Sequence, residues 1–118
     1  MKRFILNLWR NYLENKSKAE TFIGFAIRKG SFKIGVNAIY TIRKANLLIL
    51  CSTAGSDTTR HAKKLAKRLN CRVFQIQKPL SEVVFKEKAK LLAITDEALA
   101  KAIIDNSGNE FIEVVLGE

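Results

Sequence analysis

The hydrophobic positions alternate between two spacings along the chain, which predicts a domain of mixed helices and strands. Short runs that are almost wholly apolar, such as Leu47–Cys51 and Leu91–Ile94, are typical of buried strands. Between them, apolar residues recur every three or four positions, as at Ala62, Leu65 and Leu69, which is the spacing of one helix face. The expected fold is therefore α/β, with helices packed on both faces of one sheet.

Capping and stop signals set the expected boundaries of these elements. Ser17 and Glu20 have the spacing of a capping box, and Gly30 is a natural helix stop. Asp57 and Thr95 are the expected caps of two later helices. The predicted helices cover 2–14, 17–29, 35–44, 57–69, 80–86 and 95–105, and the predicted strands cover 31–34, 47–51, 72–76, 91–94 and 111–116.

The length of 118 residues corresponds to a single domain, which we assign to residues 17–118. Residues 1–16 precede it as an amphipathic extension with helical spacing. A helix folded onto the domain or a frayed arm is one interpretation of this extension. The other is a docking helix for a protein partner or a dimer, with Trp9 and Tyr12 as anchors.

The strong positive charge of the chain indicates a partner that is rich in negative charge. The formal net charge is +10, and the sequence pI is near 9.9. Residues 1–50 carry ten basic and two acidic side chains, residues 51–100 ten and five, and residues 101–118 one and four. The basic surface is therefore expected from residues 1–100, and the last 18 residues are mildly acidic.

The residue pattern gives little support for a catalytic site, a metal site or a membrane segment. The two cysteines and one histidine do not make a zinc site, and no nucleophile–base spacing or paired carboxylates stand out. The loop 52–59 follows a strand and opens a helix, but it has neither a P-loop nor a dinucleotide glycine pattern. We therefore expect no enzyme, no metal, no cofactor and no membrane segment, and a reducing cytoplasm as the location.

Two basic segments are candidates for phosphate contact. One is the helix 57–69, with cations opposite its apolar stripe, although a solvated face explains them as well. The other is 28–38, where three cations lead through Gly35 into a helix start that carries Asn37. Cations suit phosphates and an amide side chain suits base edges, so this segment favours nucleic acid.

The second segment is also where the chain resembles a known family. The residues that carry the resemblance are 22–30, then Lys33-Ile34-Gly35-Val36-Asn37-Ala38, then 42–50, and finally Leu91–Asp96 leading into 98–100. This order is similar to the ribosomal L-seven-Ae/L-thirty-e family of RNA-binding proteins, and most similar to its short bacterial YlxQ-type branch. The resemblance covers about residues 20–104.

The resemblance implies a three-layer α-β-α sandwich with a mixed central sheet that binds RNA kink-turns. The family contacts RNA with the start of its second helix, which corresponds to Gly35 and Asn37 here, and with a loop expected at 76–81. Ala38 and Thr41 stand where kink-turn binders have Glu and commonly Lys, and Ser81 replaces a usual Gly. Because of these departures, the alternative remains a protein-interaction module of the same fold that no longer recognises RNA specifically.

The predicted function is a non-catalytic, ribosome-associated protein that binds structured, kink-turn-like RNA. The predicted RNA-binding residues are Arg28, Lys29, Lys33, Gly35, Val36, Asn37, Ala38, Thr41, Arg43, Ile76, Gln77, Lys78 and Pro79. A nucleotide-using enzyme at the loop 52–59 is a distant alternative.

Overall fold

The computed structural model describes residues 17–84 and 86–116, and within them a five-stranded sheet lies between two helical layers. The helices are α1 (Lys18–Lys29), α2 (Val36–Tyr40), α3 (Ser56–Leu69), α4 (Leu80–Val84) and α5 (Glu97–Asp105), and the strands are β1 (Phe32–Ile34), β2 (Leu47–Leu50), β3 (Arg72–Ile76), β4 (Leu91–Ile94) and β5 (Phe111–Val114). A 3₁₀ turn at Gly108–Glu110 precedes β5. The predicted helix over 2–14 and the extension 1–16 lie outside the described residues.

The sheet is mixed, with the strand order β1-β4-β2-β3-β5. Only β2 and β3 are paired in parallel, and the other neighbours are antiparallel. We call the end of the sheet at which β1, β2 and β3 finish the carboxyl edge, and the opposite end the amino edge. Leu50 pairs with Leu91 and Ile76 with Phe111, so β4 and β5 begin at the carboxyl edge.

Each face of the sheet has its own hydrophobic core, as expected for a three-layer sandwich. Side chains alternate between the two faces along a strand. Leu47 and Ile49 point towards α1, α4 and α5, whereas Leu48 and Leu50 point towards α2 and α3. All four of these leucine and isoleucine residues are buried. The predicted α-β-α architecture with a mixed sheet is therefore confirmed for the described residues.

The boundaries of α1 follow the predicted signals, but Glu20 has a different role. The Ser17 hydroxyl accepts a hydrogen bond from the Glu20 amide at 3.1 Å, and Gly30 ends the helix with a φ of 80°. The Glu20 carboxylate does not complete a capping box, because it accepts a hydrogen bond from the Lys78 ammonium. The sequence pattern alone could not show this distant partner.

Helix α2 is shorter than predicted, ending at Tyr40 and not near Lys44. The Thr41 hydroxyl donates to the Ala38 carbonyl at 2.6 Å, and this local bond competes with continuation of the helix. The guanidinium of Arg68 donates to the carbonyls of Ile39 and Ile42 at 3.2 and 3.1 Å. These carbonyls therefore find their partners outside a helix.

Four other boundaries differ from the prediction by one or two residues. Gly55 and not Asp57 is the N-cap of α3, and Asp57 instead pairs with Arg60 at 3.0 Å. Asp96 and not Thr95 caps α5, where its carboxylate accepts from the Leu99 amide at 2.9 Å. Helix α4 ends before Lys86, and β5 ends at Val114. None of these shifts changes the fold.

Candidate nucleic-acid interface

The start of α2 lies at the carboxyl edge, where β1 ends. The Gly35 amide donates to the Leu91 carbonyl at 2.9 Å, which fixes this turn against the first residue of β4. Gly35 has a φ of 96° and a ψ of 148°, a conformation that is essentially restricted to glycine. Asn37 is exposed in the first turn of α2, and Val36 and Ala38 on either side of it are half-buried.

Three lysines just before β4 lie at the same edge of the sheet as this helix start, and they are not among the predicted RNA-binding residues. They belong to the segment Lys86-Glu87-Lys88-Ala89-Lys90, in which Lys88 has a φ of 63°. Because β4 lies between β1 and β2, the segment emerges between the start of α2 and the loop that follows β2. Within the described part of the chain, none of the three ammonium groups forms an ion pair with a carboxylate.

The loop after β2 is joined to the lysine segment by two hydrogen bonds. The Cys51 amide donates to the Lys90 carbonyl at 2.9 Å, and the Lys90 ammonium donates to the Thr53 hydroxyl at 2.6 Å. A hydroxyl partner leaves the positive charge of Lys90 uncompensated. The carboxyl edge therefore presents Asn37, the lysine segment and a polar loop in one continuous zone. Three lysines within five residues ahead of an apolar run were the available sequence signal, but only the strand order places them beside α2.

In the predicted contact loop after β3, the positive charge of Lys78 is already paired within the protein. The Lys78 ammonium donates to the carboxylate of Glu20, whose side chain is only 8% exposed. This bond raises the pKa of Lys78, and the charges of Glu110 and Glu82 act in the same direction. Its positive charge is therefore compensated by nearby carboxylates, and Lys78 is not a free cation for a phosphate.

Three other residues of this loop differ in how exposed their side chains are. Ile76 is completely buried in the core against α1 and α4, so the prediction of Ile76 as an RNA-binding residue is wrong. Gln77 is exposed and Pro79 is half-buried, at the same edge as Asn37. Gln77 and Pro79 therefore remain accessible to a partner, as predicted.

Arg28 and Lys29 lie at the amino edge, at the far end of the sheet from Gly35. Lys29 is paired with the carboxylate of Asp96, and Arg28 lies 5.1 Å above the ring of Phe25. The hydrogen bond from Lys29 lowers the pKa of Asp96, and the bond from the Leu99 amide adds to this effect. The prediction that Arg28 and Lys29 join Asn37 in one surface is wrong, because β1 crosses the sheet between them.

The remaining predicted residues occupy intermediate positions. Lys33 is exposed at the centre of β1, opposite Ala93, and points to the face of the sheet that α2 covers. Thr41 and Arg43 are exposed in the connection that leads from α2 to the amino edge. There the Asn46 amide donates to the Ile94 carbonyl at 2.8 Å. The structure therefore brings Lys33 near the helix start and leads Arg43 away from it.

The histidine and the two cysteines differ in their surroundings. The Nδ1 atom of His61 lies 3.2 Å from the Tyr40 hydroxyl. Cys51 is buried, and its thiol accepts from the Leu80 amide at 3.2 Å. Burial raises the pKa of the half-buried Cys71 to about 11. Within 17–84 and 86–116, no three His, Cys, Asp or Glu side chains come together as a possible metal site, and no helix is long and apolar enough to cross a membrane.

Comparison with known proteins adds to the fold but not to the function. No family model and no curated protein sequence matches this chain. A solved structure from Bacillus halodurans, described as a protein with unknown function, is similar with a TM-score of 0.65. The match has 19% sequence identity and covers 76% of this chain and 96% of that one. At this identity, the likeness shows the fold alone.

Proposed function

We propose that this chain is a non-catalytic, ribosome-associated RNA-binding protein that binds structured, kink-turn-like RNA at its carboxyl edge. The resemblance to the ribosomal L-seven-Ae/L-thirty-e family motivates this proposal. The observation that carries it is the juxtaposition of exposed Asn37 with the lysine segment 86–90, which follows from the strand order β1-β4-β2. Neither group is adjacent to the other in the sequence.

The two groups have chemically different tasks in this proposal. Phosphate contacts supply affinity and orientation, and contacts to base edges supply specificity. Lys86, Lys88 and Lys90 offer ammonium groups to phosphates, and Lys33 adds a fourth on β1. The carboxamide of Asn37 offers both donors and an acceptor to a base edge that a bent RNA exposes.

Few side chains at the start of α2 can read a base, so contacts between lysines and phosphates should supply a large share of the affinity. Ala38 supplies no acceptor to a base, and the Thr41 hydroxyl is already used on the Ala38 carbonyl. Asn37 is therefore the principal polar side chain in this turn, beside several uncompensated lysines. We expect binding to weaken steeply with salt, because phosphate contacts release counterions.

The first test replaces the amide of Asn37. We expect Asn37→Ala to weaken binding to a kink-turn RNA by about tenfold, which corresponds to about 1.4 kcal/mol, the low end of a base contact. Binding to a straight RNA duplex should change by less than about twofold, because duplex binding relies on phosphates. Fluorescence anisotropy at two salt concentrations measures both affinities.

Asn109→Ala is the matched control, since Asn109 is exposed in the 3₁₀ turn that precedes β5 at the same edge. Equal losses on both RNAs would contradict base reading by Asn37. An affinity that barely responds to salt would contradict a phosphate-binding surface. A wild-type protein that binds neither RNA would favour the alternative of a protein-interaction module.

A further inference from the structure

A basic groove runs along α3, on the side of the helix that faces the residues after β5. It encloses about 590 Å³, and Leu116 forms part of its far wall. Four cations line it, namely Arg60, Lys63, Lys64 and Lys67, and no carboxylate does among the residues that the structure describes. On the sequence pattern alone, these side chains belong either to a solvated face or to a phosphate contact.

The charges in the groove are mostly uncompensated. Arg60 is paired with Asp57 at 3.0 Å, and both side chains are exposed. Among the residues that the structure describes, Lys63, Lys64 and Lys67 make no ion pair. The fifth cation of the helix, Arg68, faces the other way and donates to carbonyls at the end of α2.

The helix holds these cations in a fixed row. Leu65 and Ala66 are completely buried against the sheet, which sets the rotation of α3. Lys63 and Lys67 are four residues apart, so they lie on one side of the helix about 6 Å apart along its axis. A regular row of like charges on a rigid helix suits a regularly charged strand more than a compact anion.

The groove is continuous with the carboxyl edge. Ala54 and Ser56 line the end of the groove nearest the carboxyl edge. The Ala54 amide donates to the Cys51 carbonyl at 3.2 Å. The preceding residue, Thr53, accepts the hydrogen bond from Lys90. From Ser56 to Lys67 the helix extends about 16 Å, which follows from its rise of about 1.5 Å per residue.

We propose that this groove is a second RNA-binding surface, which holds the phosphate backbone of the RNA segment that flanks the part bound at the carboxyl edge. The inference rests on the proposed function and extends it. The contacts are between ammonium or guanidinium groups and phosphates, so they carry no base specificity. The groove lengthens the footprint on the RNA and adds to the salt dependence of binding.

The experiment compares two RNAs that share the same kink-turn but differ in the length of the flanking stem. We expect Lys63→Gln/Lys67→Gln to weaken binding to the long RNA by about tenfold and to lower the salt slope by about 1.5–2, since each lost duplex phosphate contact removes about 0.9. Binding to the short RNA should change by less than about twofold.

Lys18→Gln/Lys101→Gln is the matched control. It removes the same charge from exposed positions of α1 and α5, in the other helical layer. Thermal melts by circular dichroism verify that both double variants fold. If the groove variant and the control behave alike on the long RNA, while Asn37→Ala still weakens binding, the groove proposal fails and the proposed function stands.

Two other outcomes are informative. If the groove variant weakens binding but Asn37→Ala does not, the groove proposal stands and recognition at the carboxyl edge fails. If polyglutamate of equal charge competes as well as the long RNA for the wild-type protein, and not for the groove variant, the groove is a site for acidic peptides and the RNA assignment is overturned.

Discussion

Cations at the two edges of the sheet have different partners. At the amino edge, Lys29 is paired with Asp96, and Arg72 donates to Glu113 at 2.7 and 2.8 Å. At the carboxyl edge, the lysine segment 86–90 forms no ion pair within the described residues. The side chains are of the same types, but only the second group keeps its charge available to a partner.

The difference shows why counting basic residues does not locate a binding surface. A carboxylate within hydrogen-bond reach already occupies the cation, and a phosphate has to compete with it. Lys78 makes the same point at the carboxyl edge itself, because Glu20, Glu82 and Glu110 surround it. The half of this edge near β1, β4 and β2 is therefore the basic half, and the half near β3 and β5 is not.

The largest expected effect comes from removing the free charges at the carboxyl edge. We expect Lys86→Gln/Lys88→Gln/Lys90→Gln to weaken binding to a kink-turn RNA by about 30- to 100-fold at low salt, and to lower the salt slope by about 2–3. The same charge removed at the amino edge, in Arg28→Gln/Lys29→Gln/Arg72→Gln, should cost less than about threefold. Anisotropy titrations across a salt series give both quantities. Equal losses in the two triple variants would mean that net charge, and not its position, determines binding.

The next effect concerns the backbone that supports the helix start. We expect Gly35→Ala to lower the free energy of unfolding by about 1–3 kcal/mol, because a φ of 96° is strained for any residue with a Cβ atom. A Cβ at Gly35 would meet no heavy atom within 4 Å, so strain and not crowding is the cause. Urea denaturation measures the change.

Gly24→Ala is the matched control for this variant. Gly24 lies inside α1, and a Cβ there also meets nothing within 4 Å. It should stabilise the protein by up to about 1 kcal/mol, since alanine favours helices more than glycine does. A loss of stability at Gly24, or none at Gly35, would contradict this explanation.

The smallest effect is expected from the exposed pair at the amino edge. The hydrogen bond from Arg72 lowers the pKa of Glu113 in the folded protein. The pair therefore adds stability above the ordinary glutamate pKa, and this contribution is lost as the pH falls through the lowered value. Because both side chains are about half exposed, we expect Glu113→Gln to cost less than about 0.5 kcal/mol at pH 7.

Urea denaturation between pH 7 and pH 3 tests the sign of this effect. The difference in stability between wild type and Glu113→Gln should shrink as the pH decreases. A stability difference that grows towards acid pH would show that protonation of Glu113 stabilises the folded protein. An ion pair with Arg72 requires the opposite, because it stabilises the ionised carboxylate.

The local signals in the sequence predicted most of the fold. Ser17 and Gly30 bound α1 as expected, and the apolar stripe of α3 is buried. The strands that were predicted from apolar runs are present within one or two residues of their expected ends. These features depend on neighbours a few positions away, so the chain itself carries the information.

The candidate site was predicted only in part. Asn37 and Gly35 were found because a helix start and a family resemblance coincide there. Proximity in the sequence groups Arg28 and Lys29 with Asn37, whereas the strand order brings Lys86, Lys88 and Lys90 to the edge where Asn37 lies. Strand β1 crosses the sheet between Lys29 and Gly35, so these two residues lie at opposite edges although they are only six positions apart in the sequence.

Local patterns along the chain are enough to predict the element types, the apolar helix and strand faces and the strong positive charge. The tertiary structure decided which of those charges remain available. Glu20 reaches Lys78 across 58 positions of the chain, and Asp96 reaches Lys29 across 67. Such pairings depend on the order of strands in the sheet and the helix that covers each face, and no local spacing encodes them.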